Sequence, residues 1–198
     1  MKFTTKYFML LLAGIMFTTA GNVNAQSTKT NTFTTTARIL GTSTLHDWES
    51  KTDQITSEFA MSKASEIQSL TVKIPVMSIK SGERLMDKKT YEAFNSDKYP
   101  SIVFQMTEPT TPVVSGSDVQ VTLTGNLIIA GVTKKITFKS TGKKTATGGY
   151  QLSVSVPLKM TDFKIKPPTA LLGTIRSGDA VTIKLDINVP AQNLVATN

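Results

Sequence analysis

The sequence predicts an all-β fold, an antiparallel barrel of about eight strands with one mid-chain helix. Hydrophobic residues recur with a period of two along most of the chain, and successive side chains of a strand point to opposite faces. Turn-forming segments separate these stretches. Connections this short favour antiparallel neighbours, because parallel crossovers need about a dozen residues or more. One stretch in the middle of the chain has a strong helical period instead.

The strands are predicted where apolar and polar residues alternate. In residues 181–189 every second residue is Val, Ile or Leu and the residues between them are polar, which indicates one buried and one solvated face. In chain order the predicted strands cover 33–39, 55–61, 70–76, 102–106, 119–129, 136–138, 152–158 and 181–189. Turn signals that contain glycine lie at 109–118, 130–131, 141–149 and 176–179.

The helix is predicted over residues 82–94, with Ser81 as its expected cap and Pro100 beyond its end. Its expected inner stripe consists of Leu85, Met86, Lys89 and Phe94. A second, short helical turn is expected around 169–172, after a pair of prolines.

The amino terminus has the organisation of a cleavable signal peptide, predicted to comprise residues 1–25. Two lysines precede an apolar run of 11 residues, 7–17, which is shorter than the about 20 that a spanning helix needs. Small side chains at positions 23 and 25 predict cleavage before Gln26. The mature protein, residues 26–198, is expected to form a single barrel domain.

Cysteine usage and hydropathy bear on the compartment. The chain contains no cysteine, so it has no lipobox for a lipid anchor. No segment after the leader is long and apolar enough to be a transmembrane helix. We therefore expect a soluble protein of the periplasm or a secreted one.

The net charge of +8 includes the two lysines of the predicted leader. The remaining basic residues form scattered pairs at 88–89, 134–135 and 143–144, without aromatic residues between them. This pattern is typical of solvated faces and turns, so we expect no nucleic-acid partner. It leaves open a transient contact with a membrane surface or an anionic ligand.

One-sided strands must hide their apolar faces, either in a two-sheet sandwich or in a closed barrel, and only closure removes the edge strands. A barrel of about eight strands either fills itself with side chains or holds one small ligand. The periodicity of the sequence does not decide between these outcomes.

Three segments, in order, resemble the YceI-like family of exported lipid-binding barrels. They are 41–48 (GTSTLHDW), 81–104, in which the helix leads through Lys-Tyr-Pro into a strand, and 121–138, with the core GNLIIAGVTK. One departure is present. Many members carry an Arg-Asp pair with a nearby His in the central segment, whereas here Arg84 and Asp87 are separated by Leu and Met. The polar contacts of that branch are therefore not carried over.

The resemblance implies a lipocalin-like barrel with a long apolar tunnel for a polyisoprenoid lipid, such as a quinone or a prenyl phosphate. It implies carriage or sequestration of that lipid in the cell envelope, without a cofactor. The apolar residues at issue also suit plain core packing, and the resemblance implies that some of them line the tunnel. The expected ligand-binding residues are His46, Trp48, Phe59, Leu70, Val72, Ile74, Phe104, Leu127, Ile129, Phe138, Val154, Val156 and Phe163.

The segment His46–Asp47–Trp48 is the one cluster that invites a chemical interpretation. His46 is the sole histidine, whereas a metal centre commonly recruits several His or Cys ligands. A Ser-His-Asp device needs three converging side chains, and adjacent residues of an extended chain face opposite sides. We therefore predict no catalytic residue, no metal site and no enzyme. His46 and Asp47 are expected to bond a neighbouring loop and Trp48 to pack at the barrel end or touch the ligand.

An alternative function remains. The same barrel with a filled core would act as a protein-interaction or envelope-stress module without a lipid. A homodimer is also left open by the sequence.

Overall fold

The structure is a computed structural model that describes residues 31–194, so the predicted signal peptide lies outside the described residues. Its strands, in chain order, are β1 Thr34–Ser43, β2 Trp48–Thr52, β3 Thr56–Met61, β4 Ile67–Pro75, β5 Ser101–Met106, β6 Val113–Ser115, β7 Asp118–Ile129, β8 Val132–Lys144, β9 Tyr150–Lys159, β10 Thr169–Ala170 and β11 Ile175–Val189. The α-helix, α1, is Arg84–Phe94, and short 3-10 helices cover Val76–Ser78, Met160–Phe163, Leu171–Gly173 and Ala191–Asn193. Within 31–194, no helix has the length and apolar character required to cross a bilayer.

The strands form one antiparallel sheet in the order β2-β1-β11-β9-β8-β7-β5-β4-β3, with β6 added to β7 and β10 to β11. The sheet curls into an incomplete barrel whose edges meet at two places. Next to β1, Asn31 exchanges backbone hydrogen bonds with Phe59 of β3, at 3.0 and 2.9 Å. On β2, Lys51 exchanges them with Lys80, at 2.7 and 2.8 Å. The seam is thus held by isolated bridges, because β2 and β3 share no ladder within the described chain.

The predicted fold class is confirmed, and the differences lie in weakly patterned strands. β2, β6 and β10 were not predicted, because they are short and carry few alternating apolar residues. β8 is 13 residues long, whereas only its Ile136–Phe138 portion was predicted. Lysine, threonine, serine and glycine occupy most of its length, so pairing with β7 and β9 defines this strand more than its own hydrophobicity does. The second helical turn expected around 169–172 is present only in part, because Thr169 and Ala170 form β10 and the 3-10 segment Leu171–Gly173 has positive φ at Leu171 and Leu172.

Hydrogen bonds and partial burial hold α1 in place, since Tyr91, Ala93 and Phe94 pack against the core. The helix contains no buried residue. The Asp87 carboxylate accepts hydrogen bonds from the backbone N–H and the hydroxyl of Ser81, both at 2.7 Å. The Tyr91 hydroxyl donates to the carbonyl oxygen of Ile79 at 3.0 Å. The N-cap residue is Glu83, and it makes no side-chain cap bond. The expectation that Ser81 caps the helix is therefore wrong, although Ser81 is bonded to the first turn through Asp87.

The strand register places several strand ends and α1 at one end of the barrel. Ser43 of β1 pairs with Ser177 of β11, and Lys159 of β9 pairs with Ala180. β7 ends at the same level, and α1 leads into the start of β5 there. We call this end the mouth. The 3-10 segment and β10 that connect β9 to β11 also lie at the mouth.

Gly125 of β7 tests the packing inside the sheet. A Cβ atom at this position would overlap the carbonyl oxygen of Gln105 and lie 2.6 Å from the Phe104 ring. We expect Gly125→Val to lower the free energy of unfolding by about 1–3 kcal/mol, since overpacking forces neighbouring groups to shift. Chemical denaturation measures this. Thr122→Val, on the exposed face of the same strand, serves as the control, and equal stabilities of the two variants would contradict the packing assignment.

Candidate ligand-binding site

A cavity of about 310 Å³ opens at the mouth between α1 and the sheet, and we call it the mouth cavity. This volume is at the lower end of the ~300–1,000 Å³ typical of small-molecule sites. The wall combines the inner stripe of α1 with the ends of strands and the connection after β9. Its apolar side chains are Ile39, Leu45, Trp48, Ile79, Leu85, Met86, Ala93, Phe94, Ile102, Ile129, Leu158, Met160, Phe163, Ile165, Pro168, Ala170, Ile175, Val181 and Ile183.

A second, narrower cavity of about 80 Å³ lies deeper in the barrel, and we call it the inner cavity. Ile102 and Ile183 line both cavities, so the two spaces adjoin. Along β1 the lining passes from Thr35 in the inner cavity to Ser43 in the mouth cavity. At about 3.3 Å per residue this is a path of roughly 26 Å. Residues that line the two cavities therefore extend along most of β1.

Thr35 is the one polar residue among those that line the inner cavity within residues 31–194. Its side chain is 5% exposed and its hydroxyl has no hydrogen-bond partner among the described residues. An unpaired buried hydroxyl is costly, so the inner cavity offers a single polar atom in otherwise apolar surroundings. Everything else around it is aliphatic or aromatic.

Trp48 forms part of the mouth wall by packing flat against a glycine. Gly41 of β1 is paired with Trp48 of β2, and a Cβ atom at Gly41 would lie inside contact distance of three atoms of the indole ring. The indole Nε1–H donates to the carbonyl oxygen of Thr42 at 2.9 Å. The glycine and this hydrogen bond together hold the ring at the barrel end, where it was expected.

The turn that contains His46 is shaped by backbone bonds. The Ser43 hydroxyl donates to the carbonyl oxygen of His46 at 2.7 Å and accepts the N–H groups of Leu45 and His46 at 3.1 and 3.2 Å. His46 Nδ1 lies 2.6 Å from the carbonyl oxygen of Asp47. Ser43 thus bonds the backbone, and not the imidazole, of His46. Within residues 31–194 no group of three or more His, Cys, Asp or Glu side chains is placed to hold a metal ion.

Two loops of the mouth are tied together. The N–H of Thr44 donates to the carbonyl oxygen of Arg176 at 3.0 Å, and the Thr44 hydroxyl accepts the N–H of Arg176 at 3.1 Å. The same hydroxyl lies 3.3 Å from the carbonyl oxygen of Thr174. The β1–β2 turn is therefore bonded at the mouth to Thr174 and to the start of β11.

Asp179 anchors the turn after β9. Its carboxylate accepts the N–H of Thr161 at 2.9 Å and the Thr161 hydroxyl at 2.7 Å. These bonds, the backbone one first, lower the pKa of Asp179 from its ordinary value of 3.8, and the charge of Lys159 adds to the effect. The anchored turn carries Met160 and Phe163, two apolar residues of the mouth wall.

Twelve of the thirteen expected ligand-binding residues line one of the two cavities. Those in the mouth cavity are His46, Trp48, Ile129 and Phe163. Those in the inner cavity are Leu70, Val72, Ile74, Phe104, Leu127, Phe138, Val154 and Val156. Phe59 lines neither. It is buried in the core, with its ring centroid 5.8 Å from that of Phe33.

Sequence reasoning missed other residues of the wall. The inward side chains Ile183, Leu185 and Ile187 belong to the most regular alternating strand, so the same period could have identified them. Ile79 and Ile165 carry no such signal, because they lie outside the strands. Only the three-dimensional arrangement brings them to the mouth.

Comparisons with known proteins agree with this architecture. A profile of the YceI-like domain matches residues 22–189. A search among curated proteins finds no match. Among solved structures, BcnA of Burkholderia cenocepacia is similar with a TM-score of 0.61 and 17% identity, over 78% of this chain and 96% of that one.

Two further solved structures share the fold. A YceI protein of Campylobacter jejuni is 21% identical with a TM-score of 0.54, over 71% of this chain and 83% of that one. A polyisoprenoid-binding domain from Saccharophagus degradans, implicated in plant cell wall breakdown, is 13% identical with a TM-score of 0.61, over 82% of this chain and 99% of that one. At these identities the similarity shows a common fold.

Gly41→Ala is expected to push the Trp48 ring away from β1, since the new methyl group would occupy its place. Trp48 is the single tryptophan, so emission of the purified protein reports on this ring alone. We expect a shift to longer wavelength as the indole becomes more hydrated. Thr36→Ala, on the outer face of the same strand, should leave the spectrum unchanged. An unshifted spectrum for Gly41→Ala would rule out the flat packing.

Asp179→Asn tests the anchored turn through pH. Because the folded pKa lies below the ordinary value of 3.8, the carboxylate stabilises the fold above that value and loses this effect as pH falls through the lower folded pKa. The difference in melting temperature between the native protein and Asp179→Asn should therefore shrink with acidification. The control Asp118→Asn removes a carboxylate exposed to solvent, 4.0 Å from Lys143. The difference in melting temperature between the native protein and this control should stay small at every pH. If the differences for both variants changed with pH in the same way, Asp179 would not stabilise the turn as proposed.

Proposed function

This chain belongs to the YceI-like family, and on that premise we propose that it binds a polyisoprenoid lipid, a quinone or a prenyl phosphate, along its barrel axis. The observation that carries the proposal is the adjoining pair of apolar cavities. The mouth cavity of about 310 Å³ meets the inner cavity at Ile102 and Ile183. An isoprenoid chain is long and apolar, so this path suits its shape and its chemistry.

The binding free energy would come from removal of apolar surface from water, about 25 cal/mol per Å². A prenyl tail offers no directional hydrogen bonds, and the inner cavity presents one polar residue, Thr35. The polar members of the wall lie mainly at the mouth, where His46, Lys89 and Lys159 contribute. We therefore propose that the tail enters first and that the head group stays at the mouth. The twelve predicted residues that line the cavities are the proposed ligand contacts, and Phe59 supports them from the core.

The setting of this activity is proposed from the amino terminus. Residues 1–25 have the features of a signal peptide, so the mature protein would act in the periplasm or outside the cell. There it would carry or sequester its lipid. The name of the Saccharophagus domain, which is polyisoprenoid-binding, supports this class of ligand. The fold of the family is of a binding type, and the wall described above provides apolar contact in place of reactive groups.

Identification of the bound molecule tests the proposal directly. The protein is produced as the full chain, purified, extracted with organic solvent and examined in parallel by native mass spectrometry. We expect a polyisoprenoid to co-purify, or ubiquinone to bind when added to the empty protein. A protein that stays empty and binds neither ubiquinone nor undecaprenyl phosphate would overturn the proposal and favour the filled-core interaction module.

Neighbouring residues of β9 provide matched variants. Val156 lines the inner cavity, whereas Ser155 faces solvent. We expect Val156→Phe to weaken binding of ubiquinone and Ser155→Phe to leave it unchanged. The double variant Val156→Phe with Ile102→Phe should weaken binding of ubiquinone further. Each ~1.4 kcal/mol of binding free energy lost lowers the affinity about tenfold. Circular dichroism establishes that each variant is folded. Full binding by the folded double variant would contradict the assigned path.

A further inference from the structure

Four leucines project into solvent around the opening of the mouth cavity, and we call them the apolar rim. They are Leu45 at 65% exposure, Leu85 at 56%, Leu171 at 67%, and Leu172, which is fully exposed. Leu45 and Leu85 also line the cavity, and Ala170, which precedes the other two, does so as well. Large apolar side chains clustered in solvent mark interaction sites more often than single exposed ones do.

The backbone displays Leu171 and Leu172. Both residues have positive φ, 46° and 55°, a left-handed conformation that is unusual for bulky side chains. Gly173 follows with φ of 88°. The N–H of Thr174 donates to the carbonyl oxygen of Leu171 at 3.1 Å, which closes the turn. The Thr44 hydroxyl donates to the carbonyl oxygen of Thr174 at 3.3 Å, which ties the turn to the facing β1–β2 connection. The two leucines are therefore held outward by a bonded turn.

The chain between β9 and β11 adds positive charge at the same end. It carries the exposed Lys164 and Lys166, which alternate with the buried Phe163 and Ile165. Neither lysine forms a salt bridge with another residue of the described range 31–194. Arg176 lies at the start of β11, which follows this connection, and Asp162 is the one acidic residue of the connection, residues 160–174. This part of the rim is thus apolar at its tip and basic behind it, whereas the exposed Asp47 and Glu83 lie near Leu45 and Leu85 in sequence.

We propose that the apolar rim docks the mouth onto a bilayer that contains anionic phospholipid. This proposal rests on the proposed function, since a lipid carrier must take its ligand from a membrane or deliver it there. Exposed leucines can enter the interfacial region, while lysines behind them meet anionic head groups. With the rim inserted, a lipid tail passes from bilayer to mouth cavity without crossing water. The occupant is a membrane surface because Leu45 and Leu85 line the cavity that an apolar ligand must enter, and Leu171 and Leu172 follow Ala170 of the same wall.

Co-sedimentation with vesicles tests the docking. The probe is an equimolar mixture of phosphatidylcholine and phosphatidylglycerol, compared with phosphatidylcholine alone. The protein is purified after export and its amino terminus is determined, so that an uncleaved leader cannot account for binding. We expect binding to the anionic vesicles that weakens with salt. The variant Leu171→Ser with Leu172→Ser should reduce the bound fraction on the order of tenfold.

The matched control is Val113→Ser with Val114→Ser. These are also adjacent, exposed aliphatic residues, at 66% and 51%, but they belong to the β6–β7 hairpin at the far end of β7 from Ile129. This variant should bind vesicles as the native protein does. Lys164→Gln with Lys166→Gln should weaken binding to the anionic vesicles and reduce its salt dependence.

Each outcome separates docking from ligand binding. Leu171 and Leu172 do not line either cavity, so their variant should still retain co-purified lipid or bind ubiquinone. If the native protein retained lipid but did not bind the anionic vesicles, the docking would be overturned and the proposed function would stand. Binding of the anionic vesicles by a native protein that holds no lipid and binds no ubiquinone would support the docking and contradict the proposed function. If both serine variants lost equal affinity, or if the leucine variant converted a dimer into a monomer without vesicle binding, the rim would not be a membrane-docking surface.

Discussion

The central constraint on this protein is that a sheet with one apolar face must hide that face from water. Alternation along β7, β9 and β11 sends aliphatic side chains to one side only, and curling the sheet buries them against each other. The seam is closed by a few bridges, such as Asn31 with Phe59. A sheet of this breadth encloses more space than its own side chains occupy, and the adjoining cavities are the result.

The mouth is built on a different principle. There the covering element, α1, has no buried residue and is oriented by hydrogen bonds from Ser81 and Tyr91. Polar bonds fix the start of the helix, while Tyr91, Ala93 and Phe94 pack only partly buried against the core. The Trp48 ring also depends on a local feature, because Gly41 has no side chain and leaves room for the indole. These devices leave an apolar space at the barrel end and keep its walls in place, which is the property that a binding site for a flexible lipid requires.

Prediction from sequence succeeded where the pattern is local. The long strand β11 and the helix followed from the period, and twelve of the thirteen residues predicted from period and resemblance line a cavity. Prediction failed where pairing with neighbouring strands defines the element. In β8, the lysines and threonines are in a strand because β8 pairs with β7 and β9. Phe59 illustrates a further limit. Its alternation shows that it points inward, but whether an inward residue meets a cavity or another ring depends on what lies opposite, here Phe33.

The sequence by itself determined which residues face inward, where the helix lies and which family the chain resembles, since these are properties of short stretches of chain. Only the tertiary structure decided how far the sheet curls, where space remains inside it and which leucines surround the opening. Those features depend on contacts between residues far apart in sequence, such as Thr44 with Arg176 and Asp179 with Thr161. No local periodicity encodes such contacts, because each is specified by the register of strands that meet after the chain has folded.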